Sequence, residues 1–243
     1  MSDLLISKTG DVGHIRFNLP DTGNKILHSQ ISKITDQLNA FAADPTLKVV
    51  VISGEGAHFC QGRDPGKKDP NAKTPSAVSM RTNMMKPIIG VYQALRDIQV
   101  PVVAIVQGET HGFGAALAGS CDITIAADNA LFSFPELKTN MPPTLAMSTI
   151  IDRVPLKTLG WLVYTSKFIN AHEAQRAGLV STVVPLAELQ ASADEVIASL
   201  AAKDREALIG VKQFLAATQN TNFHEAGLYG ANLLANILSS AGK

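Results

Sequence analysis

The spacing of apolar positions changes several times along the chain, and each change marks an element. Leu4–Lys8 and His14–Asn18 are short β-type segments separated by Gly10 and Gly13, which predicts an opening hairpin. Ile31, Ile34, Leu38 and Phe41 then recur at helical spacing; Ser29 can cap this helix and Asp44-Pro45 ends it. Val49-Val50-Val51-Ile52 is a continuous apolar run stopped by Ser53-Gly54, the pattern of a strand covered on both faces. The Pro-, Gly- and Lys-rich stretch Arg63–Pro75 predicts a surface loop, followed by a long helix at Ala77–Arg96 and a strand at Val102–Val106. Glycines then break the strand, a small-residue helix begins near Gly112, and β segments Asp122–Ala126 and Leu131–Phe134 precede Glu136. Beyond Pro143 the pattern is helical almost to the end, interrupted by one β segment at Leu179–Val184. The alternation predicts an α/β fold whose C-terminal third packs as a helical layer. No fixed-length repeat and no low-complexity linker divides it, so residues 1–185 are expected as a core domain and 186–243 as a helical appendage.

Composition narrows the possible functions. A chain of 243 residues with 46% hydrophobic content has ample apolar surface for a core. Its 21 Lys and Arg balance 21 Asp and Glu, removing the global field that would draw it to nucleic acid or an anionic membrane. Cys60 and Cys121 form no CxxC pair and no zinc-ligand spacing, so no metal is expected and reduced thiols in a cytoplasm fit. The N-terminus has no basic leader followed by an apolar run, and the stretch Val100–Val106 is too short to span a bilayer. A soluble, unprocessed, cytoplasmic protein is expected.

Three places can carry chemistry. Phe59-Cys60-Gln61-Gly62-Arg63-Asp64 follows a buried strand, and its glycine allows a tight turn that either aims N–H groups outward or is an ordinary connection. Gly112 and Gly114 sit at a helix start, where unpaired N–H groups attract developing negative charge; close helix–sheet packing would account for the same glycines. Glu136 follows Leu131-Phe132-Ser133-Phe134 and should emerge beside poorly hydrated walls that raise its pKa, unless it is a surface residue at a strand end. A carboxyl so tuned can take and return a proton near neutral pH.

Phe59–Asp64, the strand Pro101–Gly108, Gly112–Gly114, Cys121-Asp122 and Phe132–Glu136 occur in an order that resembles the enoyl-CoA hydratase/isomerase (crotonase) family. The likeness continues through Ala171–Ala174, Gly178–Val180 and Val183–Pro185, with Pro20 and Asn24 upstream, and covers Leu4 to about Phe214. It implies a crotonase-type β-β-α superhelix assembled as a homotrimer or dimer of trimers, with the C-terminal helices serving trimerisation. It also implies an acyl-CoA substrate, coenzyme A entering as part of that substrate and no prosthetic group. Carried over by position, the N–H groups of Gln61 and Phe113 form the oxyanion hole. Phe59, Cys60, Gln61, Gly62 and Asp64 lie along the CoA, and Glu136 faces the acyl carbons.

The chain departs from the family pattern in ways that bear on the reaction. Hydratases carry a second catalytic Glu where this chain has Ala116, and a glycine-rich turn where it has Asn140–Thr144. Hydration divides its proton transfers between two carboxylates, whereas moving a double bond from C3 to C2 needs one group to carry a proton from C2 to C4. A single Glu136 therefore points to isomerisation, with hydration, thioester hydrolysis, C–C cleavage and non-catalytic CoA binding as alternatives. Glu109 and His111 flank the glycine turn and either replace the missing carboxylate or support the turn. Arg63, Lys67, Lys68 and Lys73 either contact CoA phosphates or form a solvated loop. Tyr229, Leu233 and Ile237 share a helical face suited to a core or subunit interface.

Overall fold

A computed structural model of the protein describes residues 2–66 and 73–241; Lys67 and Lys68 lie outside the described residues. The opening hairpin is β1 (Leu4–Thr9) and β2 (Val12–Phe17), and β3 (Ile26–Leu27) runs directly into α1 (His28–Ala42). Then come β4 (Val49–Gly54), β5 (Arg63–Asp64) and a helical stretch composed of α2 (Ala77–Met80), a π-helical segment (Arg81–Met85) and α3 (Lys86–Asp97). Two strand–strand–helix units follow. The first is β6 (Val102–Val106), β7 (Glu109–His111) and α4 (Phe113–Ser120); the second is β8 (Ile123–Ala127), β9 (Leu131–Ser133) and α5 (Thr144–Ile150). The rest of the chain is α6 (Leu156–Thr165), β10 (Ile169–Asn170), α7 (Ala171–Arg176), β11 (Thr182–Val184), α8 (Leu189–Ala201), α9 (Arg205–Thr218) and α10 (Phe223–Ala241).

The strands of each repeating unit go to different sheets. The main sheet has the order β1-β2-β4-β6-β8-β11, parallel from β2 onwards, and a second sheet has the order β10-β9-β7. In β4 the side chains divide between two cores: Val50 and Ile52 pack with α1, α3 and α4, while Val49 and Val51 face the side covered by α8. Burial on both faces is why this strand is apolar at every position. Leu189, Ala193 and Ile197 of α8 belong to that second core. The helical layer expected after Pro185 therefore begins by completing the sheet's packing, and α9 and α10 continue beyond it.

Local differences from the expected boundaries have physical causes. Ser29 is not the cap of α1; Gln30 folds back so that its Oε1 accepts the Leu27 N–H at 2.7 Å. Ser76 caps α2 by accepting the Ser79 N–H. Pro87, lacking an N–H, lies in the first turn of α3 directly after the π-helical segment, as expected where a proline interrupts the regular ladder. Among the described residues, no helix is long and apolar enough to cross a membrane, and no group of His, Cys, Asp and Glu is placed to hold a metal ion.

Lys212 fastens α9 to the body. Its Nζ donates to Leu95 O, Val100 O and Asp122 Oδ2 at 3.1, 3.2 and 2.7 Å, and Asp122 Oδ2 also accepts the Val102 N–H at 2.8 Å. Both side chains are largely withdrawn from solvent. Removing one member leaves the other's charge and the carbonyls short of partners. Lys212→Met should therefore cost about 2 kcal/mol, below the 3–5 kcal/mol typical of a fully buried pair, and urea denaturation would show it as a lowered midpoint with an unchanged slope.

Candidate active site

Two turns are laced together by backbone hydrogen bonds. Phe59 N–H donates to Gln107 O at 2.8 Å, His111 N–H to Cys60 O at 3.1 Å, and Cys60 bridges Thr110 in parallel fashion. Gly114 is pressed against the Cys60 backbone, so a side chain there would force the turns apart. Gly112 has φ +46°, and a Cβ on it would collide with Glu136 Oε1. Its N–H donates to Ser133 O at 2.9 Å, tying the start of α4 to the strand that delivers Glu136. Close approach requires glycine at both positions, and at Gly112 the backbone angle requires it as well.

A cavity of ≈ 250 Å³ opens at this junction, lined by Gln61, Gly62 and Arg63 from the first turn and Gly112, Phe113 and Glu136 from the second. Ile88 and Tyr92 of α3, together with Pro65, His111, Pro135, Met141, Pro142, Pro143, Leu145 and Ala146, complete its walls. The Tyr92 ring stacks on Phe113, centroids 5.7 Å apart. Glu136 Oε2 is buried with no hydrogen-bond partner among the described residues. Burial pushes the Glu136 carboxyl above its ordinary 4.5, opposed by its own backbone N–H and by the Arg63 guanidinium. Phe113 is the first residue of α4, so its N–H has no partner within the helix and stands at the positive end of the helix dipole.

The first turn differs from the expected assignment. Gln61 N–H donates to Gly23 O at 2.8 Å, so it is already engaged and is not the oxyanion donor. Ile26 lies opposite Arg63 in the parallel β3–β5 pair, and Ile26 N–H donates to Gly62 O at 2.9 Å. In a parallel ladder the residue opposite a bonded one carries its own N–H on the far side. The Arg63 N–H therefore turns away from β3. Phe59 and Cys60 are completely buried and can touch no ligand; burial also pushes the Cys60 thiol up to about 12. Asp64 lies off the cavity wall, where its Oδ1 accepts the Gly66 N–H at 2.8 Å.

Glu109 and His111 are held by their neighbours. Glu109 Oε2 accepts from Gln61 Nε2 at 2.8 Å and lies 3.4 Å from His111 Nε2, while the imidazole meets Phe168 edge to face. His111 lines the cavity wall with its Nε2 buried and without a hydrogen-bond partner among the described residues, and burial lowers its pKa. Ala116 is fully buried and does not line the cavity. Tyr92 was hidden in the sequence because its spacing matches the apolar stripe Ile88, Val91 and Leu95 that packs the core.

These features define a crotonase fold with, among the described residues, one carboxylate on the cavity wall. The sequence profile of the enoyl-CoA hydratase/isomerase family matches residues 7–240, and the chain belongs to that family. It is similar to 2,3-dehydroadipyl-CoA hydratase from Escherichia coli K12, 28% identical over 99% of this chain and 91% of the relative. It is also similar to (E)-benzylidenesuccinyl-CoA hydratase from Thauera aromatica, 31% identical over 78% and 74% of the two chains. The solved enoyl-CoA hydratase of Mycobacterium smegmatis has a TM-score of 0.89 at 22% identity, covering 97% of this chain and 90% of its own. Human enoyl coenzyme A hydratase domain-containing protein 3 has a TM-score of 0.88 at 23% identity, over 97% and 91%.

The raised carboxyl has a cost in stability. The folded protein holds the Glu136 proton to higher pH than the unfolded chain does, so stability falls as pH rises from 4.5 through the raised value. Glu136→Gln should abolish that fall and raise Tm at neutral pH relative to the wild type, with the difference vanishing at acid pH. Calorimetric melting across the acid range measures it.

Proposed function

We propose that the protein is an acyl-CoA double-bond isomerase in which Glu136 is the only acid/base. The observation that carries this reading is the cavity itself, where among the described residues Glu136 is the only carboxylate on the wall and Ala116 is buried away from it. A 3-enoyl thioester would place its carbonyl oxygen between the N–H groups of Phe113 and Arg63. Glu136 removes a proton from C2, and the electron pair delocalises into a dienolate whose oxygen those two donors hold. The protonated Glu136 then delivers the same proton to C4, leaving the double bond between C2 and C3. Oxyanion donors of this kind are worth about 3–4 kcal/mol each.

Hydration is a second reading, favoured by the hydratase names of the relatives. It requires water to be activated by the same Glu136. Isomerase and hydratase assays on 3-enoyl- and 2-enoyl-CoA separate the two. Glu136→Gln should lower 3-enoyl-CoA isomerisation about 10²–10⁴-fold, and full activity in that variant would remove Glu136 from the mechanism. In the wild type kcat/KM should fall on the acid side as Glu136 protonates, with the limb displaced above the ordinary carboxylate range.

Assembly with further copies of the chain, as a trimer or dimer of trimers, is supported by the apolar residues α9 and α10 leave exposed, including Leu215, Phe223, Leu228, Leu234 and Leu238. Light scattering should return the mass of three or six chains. Leu228→Glu combined with Leu234→Glu should reduce it.

A further inference from the structure

The cavity contains a cation that the isomerisation chemistry does not use. Arg63 is half-buried on its wall, and among the described residues no carboxylate lies within ion-pair reach of the guanidinium. Glu136 is close enough to act on it electrostatically but does not pair with it. The hydroxyl of Tyr92, the other group acting on Arg63, has no hydrogen-bond partner among the described residues. A guanidinium drawn partly out of water in a mainly apolar cavity is unfavourable unless an anion meets it. Its planar fork matches a carboxylate bidentately, and a phenol beside it supplies a further donor.

We propose that Arg63 and Tyr92 together receive a second carboxylate carried by the acyl group, so that the cavity selects thioesters of short dicarboxylic acids. The proposal rests on the acyl-CoA reading of the site. The neighbours of the guanidinium indicate the acyl end of the ligand: Glu136 and Tyr92 belong to the reacting end, with Phe113 stacked behind the phenol. Size points the same way, because a cavity of ≈ 250 Å³ falls below the roughly 300–1,000 Å³ of drug-sized sites and suits a short chain. Arg63 acts here through its side chain, independently of its backbone N–H.

Calorimetric titration with unreactive saturated ligands tests the proposal without any turnover. Free CoA, hexanoyl-CoA and adipoyl-CoA are compared, with pentanoyl- and glutaryl-CoA as a shorter matched pair. The wild type should bind at least one diacid thioester about 10–100-fold more tightly than its monoacid partner, the range expected for hydrogen bonds to a charged group. Arg63→Gln should bring that ratio close to one, Arg63→Lys should restore part of it, and Tyr92→Phe should reduce it by a smaller factor. A wild-type ratio near one overturns the proposal whether or not the variants fold. Survival of the ratio in a folded Arg63→Gln protein also overturns it. So does equal weakening of free CoA and adipoyl-CoA, which would make the guanidinium a phosphate contact. A diacid preference in a protein that isomerises nothing would sink the isomerase reading and leave this inference standing; isomerisation with no preference would do the reverse.

Discussion

The architecture of the site depends on the contact between the turn at Cys60–Gly62 and the start of α4. Gly114 meets the Cys60 backbone and Gly112 meets the Glu136 carboxylate, so three chain segments share a space that admits no side-chain carbon. Because of this contact, the N-terminus of α4, the 3-10 turn Pro135–Thr139 that carries Glu136 and the turn that carries Arg63 face one cavity. The rigid sheet on one side and α3 on the other hold the junction closed. The geometry of the cavity is thus a packing property of the fold, set by glycines that bring Glu136 to its wall.

The electrostatics of the cavity follow from that compactness. Glu136 is deprived of water and lacks a partner for Oε2, which weakens its hold on negative charge and strengthens its hold on a proton. The Arg63 guanidinium moderates this effect from a distance too great for a salt bridge. A base in that position can titrate without being neutralised by a permanent partner. The same separation leaves room for a ligand between the two charges.

Much of this was legible in the sequence, for identifiable reasons. The β-branched run at Val49–Ile52 declared a doubly covered strand, and Glu136 stood out because two phenylalanines just before it announced a dry wall. That the Gln61 N–H is engaged while the Arg63 N–H turns away from β3 was not legible, because a residue's N–H direction depends on the register of β5 against β3, and a two-residue strand has too little pattern to reveal it. Phe59 and Cys60 looked like ligand contacts because they belong to the motif, yet they support it from below. Tyr92 could not be found from spacing, since a helical residue facing a cavity and one facing a core obey the same period.

Ala116 bears on how this chain can change over evolutionary time. All eight residues of α4 are buried, and the helix is made almost entirely of small side chains that fill the space between the sheet and α5. A glutamate at that position would need room for three more heavy-atom positions along its chain and a route to the cavity that the present packing closes. Placing a carboxylate there therefore requires the packing of α4 against α5 to open, a change that one substitution does not make by itself.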